Sequence, residues 1–359
     1  MMEPRPGQTA ILSADALRVI DSERTRGTTM PVRVIAEIGT ANHDIDYALE
    51  CVKQVAGTGV FAVKMQLLNA DTLVARDAPR YDRLEGPKNQ YEQFKDAPPY
   101  EDWEPVFKDA RERGLEVFAS CWDEAAVEWC ESQNVSWYKV GSADITNLRL
   151  LSTIAATGKD VMFSTGAATL PEIDNMMARF TTLGEGRRAI PMACTLSYPC
   201  DPNDARLERI TFIANDYNTE VGYSDHTRGI RAAGLAVAAG ATYLEKHFTT
   251  TPGAGGDHDF ALSKPEMTAY VWAAEEAYRM TYSGTPIGEP LQTEVDARRW
   301  ARRSLHATSA IEVGEGLVVG ENCAFLRPGP DIGVGIGAEM WTEDYMGDAV
   351  KDLRAGEQI

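Results

Sequence analysis

The feature that most constrains this chain is a rhythm. Eight short apolar runs, at 33–38, 60–66, 116–120, 136–141, 160–165, 189–195, 220–224 and 241–247, are each followed by a stretch with helical spacing. Those stretches fall at 47–56, 103–113, 124–133, 148–157, 170–180, 205–215, 231–240 and 264–282. Strand-length runs alternating with amphipathic helical segments predict parallel strands joined by crossover helices. Eight such units within about 250 residues fit a TIM (β/α)8 barrel. A doubly wound open sheet is the runner-up. It wants a glycine-rich phosphate turn after the first strand, and Glu37-Ile38-Gly39-Thr40 is not one.

The rest of the chain organises around this repeat. Residues 1–31 read as an N-terminal cap over the bottom of a barrel at 32–282, and the charged, Pro- and Tyr-rich insertion at 67–102 as a rim loop or lid. Residues 283–297 read as a Pro/Gly linker, and 298–359 as a small β-rich domain. At about 60 residues that domain is near the lower size limit for folding alone, so docking is expected.

Composition narrows the class of partner. Of 359 residues, 44% are hydrophobic, enough for a full core, and the net charge is −19. So acidic a surface argues against nucleic acid or anionic membranes as general partners, and an anionic substrate would need a local cationic pocket. The six cysteines form no CxxC pair and read as reduced thiols. No secretory segment or bilayer-length apolar run is evident, so a soluble, cytoplasmic protein is expected.

In a parallel barrel the C-terminal strand ends form the functional rim. One arc of that rim carries Lys64, Lys139, Ser142, the Ser164-Thr165-Gly166 turn and Asn147 at a helix start. Singly, each fits a solvated or capping residue; together they suit phosphate and carboxylate. The opposite arc carries Glu37, His226 and His247, the histidines just past successive strands. Two imidazoles and a carboxylate suit a divalent metal with open positions, although two histidines also fit as polar partners in strand-end loops.

These residues sit in motifs: Ala36-Glu37-Ile38-Gly39, Val63-Lys64-Met65-Gln66, Tyr138-Lys139-Val140-Gly141-Ser142, Ser164-Thr165-Gly166, Cys194-Thr195 with Tyr198-Pro199, Gly222-Tyr223-Ser224-Asp225-His226-Thr227, Glu245-Lys246-His247-Phe248, Asp257-His258 and Arg327-Pro328-Gly329. In that order and on those strand ends, the chain resembles the sialic acid synthase family from about residue 31 to its end. The resemblance implies metal-dependent condensation of phosphoenolpyruvate with an N-acylated hexosamine aldehyde, giving a nine-carbon 2-keto sugar acid and phosphate. It implies that Lys64, Lys139, Ser142, Ser164 and Ser224 hold phosphoenolpyruvate. His226 and His247 would hold a divalent metal, Mn2+ before Mg2+ or Co2+, with Glu37 beside it. Asp144, Tyr198 and Asp257 would face the sugar. The C-terminal segment would be an antifreeze-like (SAF) domain in a domain-exchanged homodimer, with Arg327 reaching the partner's sugar.

The chain departs from the family pattern on the sugar side. The turn after Gly39 is one residue longer and lacks a glycine, Asp144 stands for the usual Glu, and Ala193 and Leu196 are apolar. Two other readings stay open at this level. One is a Schiff-base aldolase using Lys64 or Lys139; the other is a sugar-binding or scaffolding homologue without turnover.

Overall fold

The computed structural model describes residues 32–39, 43–81, 89–181, 188–282, 288–328 and 335–359. The cap at 1–31, Thr40 to Asn42 of the lengthened turn, the first five residues of the linker and Gly329 lie outside the described residues.

Eight parallel strands close into a barrel in sequence order: β1 Arg33–Glu37, β2 Ala62–Leu67, β3 Glu116–Cys121, β4 Trp137–Val140, β5 Asp160–Ser164, β6 Ala189–Cys194, β7 Gly222–Asp225 and β8 Tyr243–His247. β8 pairs back onto β1, with Glu37 opposite His247. Around them run α1 Ile45–Val55, α2 Glu104–Glu112, α3 Glu124–Ser132, α4 Leu148–Ala156, α5 Leu170–Thr181, α6 Glu208–Tyr217, α7 Arg231–Ala238 and α8 Lys264–Thr281. Every strand lies within two residues of its sequence-predicted bounds.

Local chemistry explains most boundaries. The side chains of Asp44, Asp123 and Asn147 accept the first-turn amides of α1, α3 and α4. The Glu266 carboxylate accepts the N–H and hydroxyl of Ser263 at the start of α8. Helix α6 starts at Glu208 rather than 205 because Arg206 has φ +48°, a left-handed conformation that a helix cannot continue through.

The buried core of the barrel is continuous, from Val34 and Ile35 on β1 through Phe107, Phe118 and Phe163 to Tyr270 on α8. At the opposite end from the rim, Arg33 and Arg188 both donate to the Tyr243 hydroxyl, at 2.6 and 3.3 Å. Arg188 also pairs with Asp160 at 3.0 Å and lies 4.5 Å from the centroid of the Trp137 ring, which helps close the bottom. The insertion after β2 is tied to the rim. The Asp123 carboxylate accepts Thr72 Oγ1 at 2.6 Å and Tyr100 OH at 2.7 Å while its other oxygen caps α3.

The chain divides into two compact units between Tyr282 and Ser283. In the second unit, Gln292–Glu294 forms a 3-10 turn and α9 spans Val295–Ala301, so ordered helix occupies part of the span read as linker. β9 Ser304–Ala307 pairs antiparallel with β11 Cys323–Leu326, and β10 Gly316–Val318 with β12 Tyr345–Asp348. Their small core holds Leu305, Ile311, Leu317 and Leu353.

Candidate active site

Alternation along the strands turns Glu37, Lys64, Ser120, Lys139, Ser164, Ser224, Glu245 and His247 away from the helices, toward the barrel axis. Lys64 and Lys139 are buried, and neither stands alone. Lys64 Nζ contacts Glu37 Oε2, donates to Ser120 Oγ at 3.0 Å and lies 3.8 Å from Glu245 Oε1. Lys139 Nζ donates to Ser164 Oγ at 2.6 Å and to the Val140 carbonyl at 3.0 Å, with Glu245 Oε2 at 3.9 Å. Ser224 donates to Glu245 Oε1 at 3.3 Å. Two lysines and two glutamates therefore share one dry space, and each lysine is steadied by a serine.

The two carboxylates differ in character. Burial raises the Glu37 carboxyl above its usual range, and this outweighs the pull of Lys64. Burial acts on Glu245 too, but the Lys139 and Lys64 ammonium groups outweigh it and bring it down to about 2. Glu245 is thus the fixed anion between the lysines, and Glu37 the group that holds a proton more readily. Lys64 is held above its ordinary value because Glu245 and Glu37 outweigh burial, while burial lowers Lys139.

Two glycines keep this geometry open. A Cβ at Gly39 would run into Glu37 Oε1 and Gln66 Nε2, which are hydrogen-bonded to each other at 2.9 Å. A Cβ at Gly166 would lie 2.8 Å from Ser142 Oγ, the atom that accepts the Gly166 N–H at 3.0 Å.

The histidines face one another with ring centroids 5.6 Å apart. His226 Nδ1 lies 2.9 Å from the Thr195 carbonyl, so this nitrogen donates and Nε2 keeps its lone pair. Burial brings the His247 ring down to about 4, and its Nδ1 is buried without a hydrogen bond among the described residues, 3.6 Å from Asp257 Oδ2. The Tyr198 ring lies 4.2 Å from that of His226, and Phe260 4.8 Å from that of His247.

The structure thus brings together all but two of the residues to which the family resemblance gives a role. Lys64, Lys139, Ser164, Ser224 and Glu37 meet around Glu245, and His226, His247, Tyr198 and Asp257 meet beside them. Ser142 reaches the group through Gly166 and Cys194, whose Sγ lies 3.8 Å from both Ser142 Oγ and His226 Nδ1. Asp144 is half-buried in the 3-10 turn after β4, and burial raises its carboxyl. Arg327 is exposed, just past β11 of the second unit. Three lumen residues escaped sequence reasoning: Ser120, Gln66 and Glu245. Strict alternation from His247 back to Glu245, and from Lys64 on to Gln66, would have found two of them.

Fold and rim define a barrel enzyme whose strand ends set paired lysines beside paired histidines. A family model described as NeuB family matches residues 51–285, and the chain belongs to that family. It is accordingly a phosphoenolpyruvate-condensing, C–C bond-forming transferase that makes a nonulosonic acid. An uncharacterised protein of Methanocaldococcus jannaschii is 33% identical, covering 86% of this chain and 89% of that protein. N,N'-diacetyllegionaminic acid synthase of Legionella pneumophila is 31% identical, covering 88% and 90%. The crystal structure of N-acetylneuraminic acid (sialic acid) synthetase from Leptospira borgpetersenii, in complex with citrate, superposes with a TM-score of 0.66 at 26% identity, covering 75% of this chain and 90% of that one.

Enzymes of this family are generally metal-dependent. Among the described residues, no group of three His, Cys, Asp or Glu side chains gathers tightly enough to enclose a cation. What the residues do fit is an open site: a His226 Nε2 with a free lone pair, a neutral His247, and further positions left to water or substrate.

Proposed function

We propose that this protein joins phosphoenolpyruvate to the open-chain aldehyde of an N-acylated hexosamine, forming a nine-carbon 2-keto sugar acid. The observation that carries the reading is the buried Lys64–Glu245–Lys139 arrangement lying beside the histidine pair in one lumen. Lys64 and Lys139, with Ser142, Ser164 and Ser224, bind the phosphate and carboxylate of phosphoenolpyruvate. Glu245 keeps the two ammonium groups charged and apart before substrate enters. His226 and His247 hold a divalent cation, Mn2+ in the first instance, which when bound supplies a Lewis acid for the aldehyde oxygen. Asp144, Tyr198 and Asp257 line the sugar side. Glu37, whose carboxyl burial raises, stands within reach of Lys64 and Gln66. In the overall reaction C3 of phosphoenolpyruvate bonds to the aldehyde carbon, water adds at C2, and phosphate leaves.

The test is a screen of N-acylated hexosamines scored by phosphate release. Release is expected only with phosphoenolpyruvate, a divalent metal and one of the sugars together. A Schiff base trapped by borohydride, or sugar binding with no phosphate released from any acceptor, would contradict the proposal.

The second unit is proposed to be an antifreeze-like domain that completes the site of a second copy through Arg327 of the partner subunit. Two inactive variants, Lys139→Met and Arg327→Ala, should then complement each other after subunit exchange. Each mixed dimer has one site with both groups and one with neither, so about a quarter of wild-type activity should return for statistical mixing of a two-fold dimer. An inactive mixture in which mass spectrometry shows exchange, or a monomer at working concentration, rules out the trans-acting arginine.

A further inference from the structure

The ends of β7 and β8 carry a second charge pair that takes no part in the lumen. Because side chains alternate, Asp225 and Lys246 point to the helix layer while Ser224, His226, Glu245 and His247 point inward. Asp225 and Lys246 are register neighbours across the two strands, with an N–O distance of 3.1 Å and no solvent exposure. Lys246 Nζ lies 5.9 Å from the centroid of the Tyr270 ring on α8, which covers the pair.

What this pair holds is the backbone on either side of His226. The N–H and hydroxyl of Thr227 donate to Asp225 Oδ1 at 2.8 and 2.7 Å, and the Thr227 carbonyl accepts from Lys246 Nζ. His226 lies between Asp225 and Thr227, and its own carbonyl accepts the Cys200 N–H at 2.8 Å. Lys246 immediately precedes His247, whose carbonyl accepts the Leu262 N–H at 2.8 Å. An apolar pair of similar size would join strand to helix without the desolvation that two buried charges suffer. It could not fix an amide, a hydroxyl and a carbonyl of one residue in direction. The two side chains that supply this direction belong to the residues just before the two histidines.

We propose that Asp225 and Lys246 form a clasp that sets His226 and His247 in position to share one divalent cation. They are positioning residues, and the inference rests on the metal reading given above.

Co2+ is a suitable probe, because its visible absorption reports ligand geometry without turnover. The full chain is stripped of metal by chelation and titrated with Co2+ by calorimetry and absorption. The double variant Asp225→Asn/Lys246→Met removes both charges at nearly constant volume and leaves neither buried alone. With the fold intact by circular dichroism, its Co2+ dissociation constant should rise about tenfold or more, and its visible bands should shift, as for loss of an outer-shell partner. A folded double variant with wild-type affinity and spectrum overturns the clasp. Should that variant fail to fold, Thr227→Val, which loses one hydrogen bond, carries the same measurement. It should bind about fivefold more weakly, and wild-type binding overturns the clasp equally. If the unmodified protein binds no Co2+, or if His226→Ala and His247→Ala bind it as tightly, the metal reading fails and the clasp with it. That failure is separate because it shows without any change at Asp225 or Lys246.

Discussion

His226→Ala and His247→Ala are each expected to lose metal-dependent turnover by about 10³-fold or more, roughly 4 kcal/mol of transition-state stabilisation, while keeping the fold. The geometry argues for both halves of this result. His226 is anchored through Nδ1 to the Thr195 carbonyl, which leaves the other nitrogen for a ligand, with no partner for it among the described residues. Burial holds His247 neutral, so its removal strands no buried charge. Each substitution leaves a void beside Tyr198 or Phe260. Phosphate release with added Mn2+, metal content after dialysis, and circular dichroism together check the expectation. Wild-type activity of either variant after chelation and dialysis would show the metal to be held elsewhere.

Lys64→Met is expected to be the more disruptive of the two lysine substitutions. Lys64 stands between Glu37 and Glu245, so its loss leaves two buried carboxylates facing each other without a cation between them. Breaking a buried pair in this way costs about 3–5 kcal/mol of stability, and an incoming anion would meet Glu245 with only Lys139 to offset it. Phosphoenolpyruvate affinity should fall by about 2–4 kcal/mol. Lys139→Met leaves Glu245 still facing Lys64 and loses a hydrogen bond to Ser164, so a smaller loss of stability is expected, with a comparable loss of affinity. Adding Glu37→Gln to Lys64→Met should recover stability but not affinity, since it removes a stranded carboxylate without restoring the cation. Thermal unfolding and calorimetric titration with phosphoenolpyruvate separate the two effects. Unchanged affinity in both lysine variants would move the anion site away from this lumen.

The individual residues show how far local pattern carries. Lys64, Lys139, His226 and His247 were legible because a strand end is a local event: an apolar run stops and a polar side chain follows. Their roles as a set came from the ordered motifs, and family membership then selects the phosphoenolpyruvate reaction over a Schiff-base aldolase. Pairing was not legible. The lysines read as a bare cationic cradle on an acidic chain, whereas in the barrel Glu37 and Glu245 neutralise them. The two residues joined by the Lys64–Glu245 contact are 181 positions apart, brought close by the stagger of a closed barrel rather than by any spacing in the chain.

By itself, then, the sequence determined the eight-unit barrel, its strand bounds and the polar side chains at its rim, because hydrophobic periodicity and helix caps are written within a few residues. Only the tertiary structure decided that Glu245 is the fixed anion between two lysines, and that Ser120 and Ser164 each steady one of them. It also decided that Asp225 and Lys246, turned outward by alternation, become register neighbours and pair. Those outcomes depend on which strands become neighbours, in what register, and how completely closure of the barrel removes water from the charges inside it.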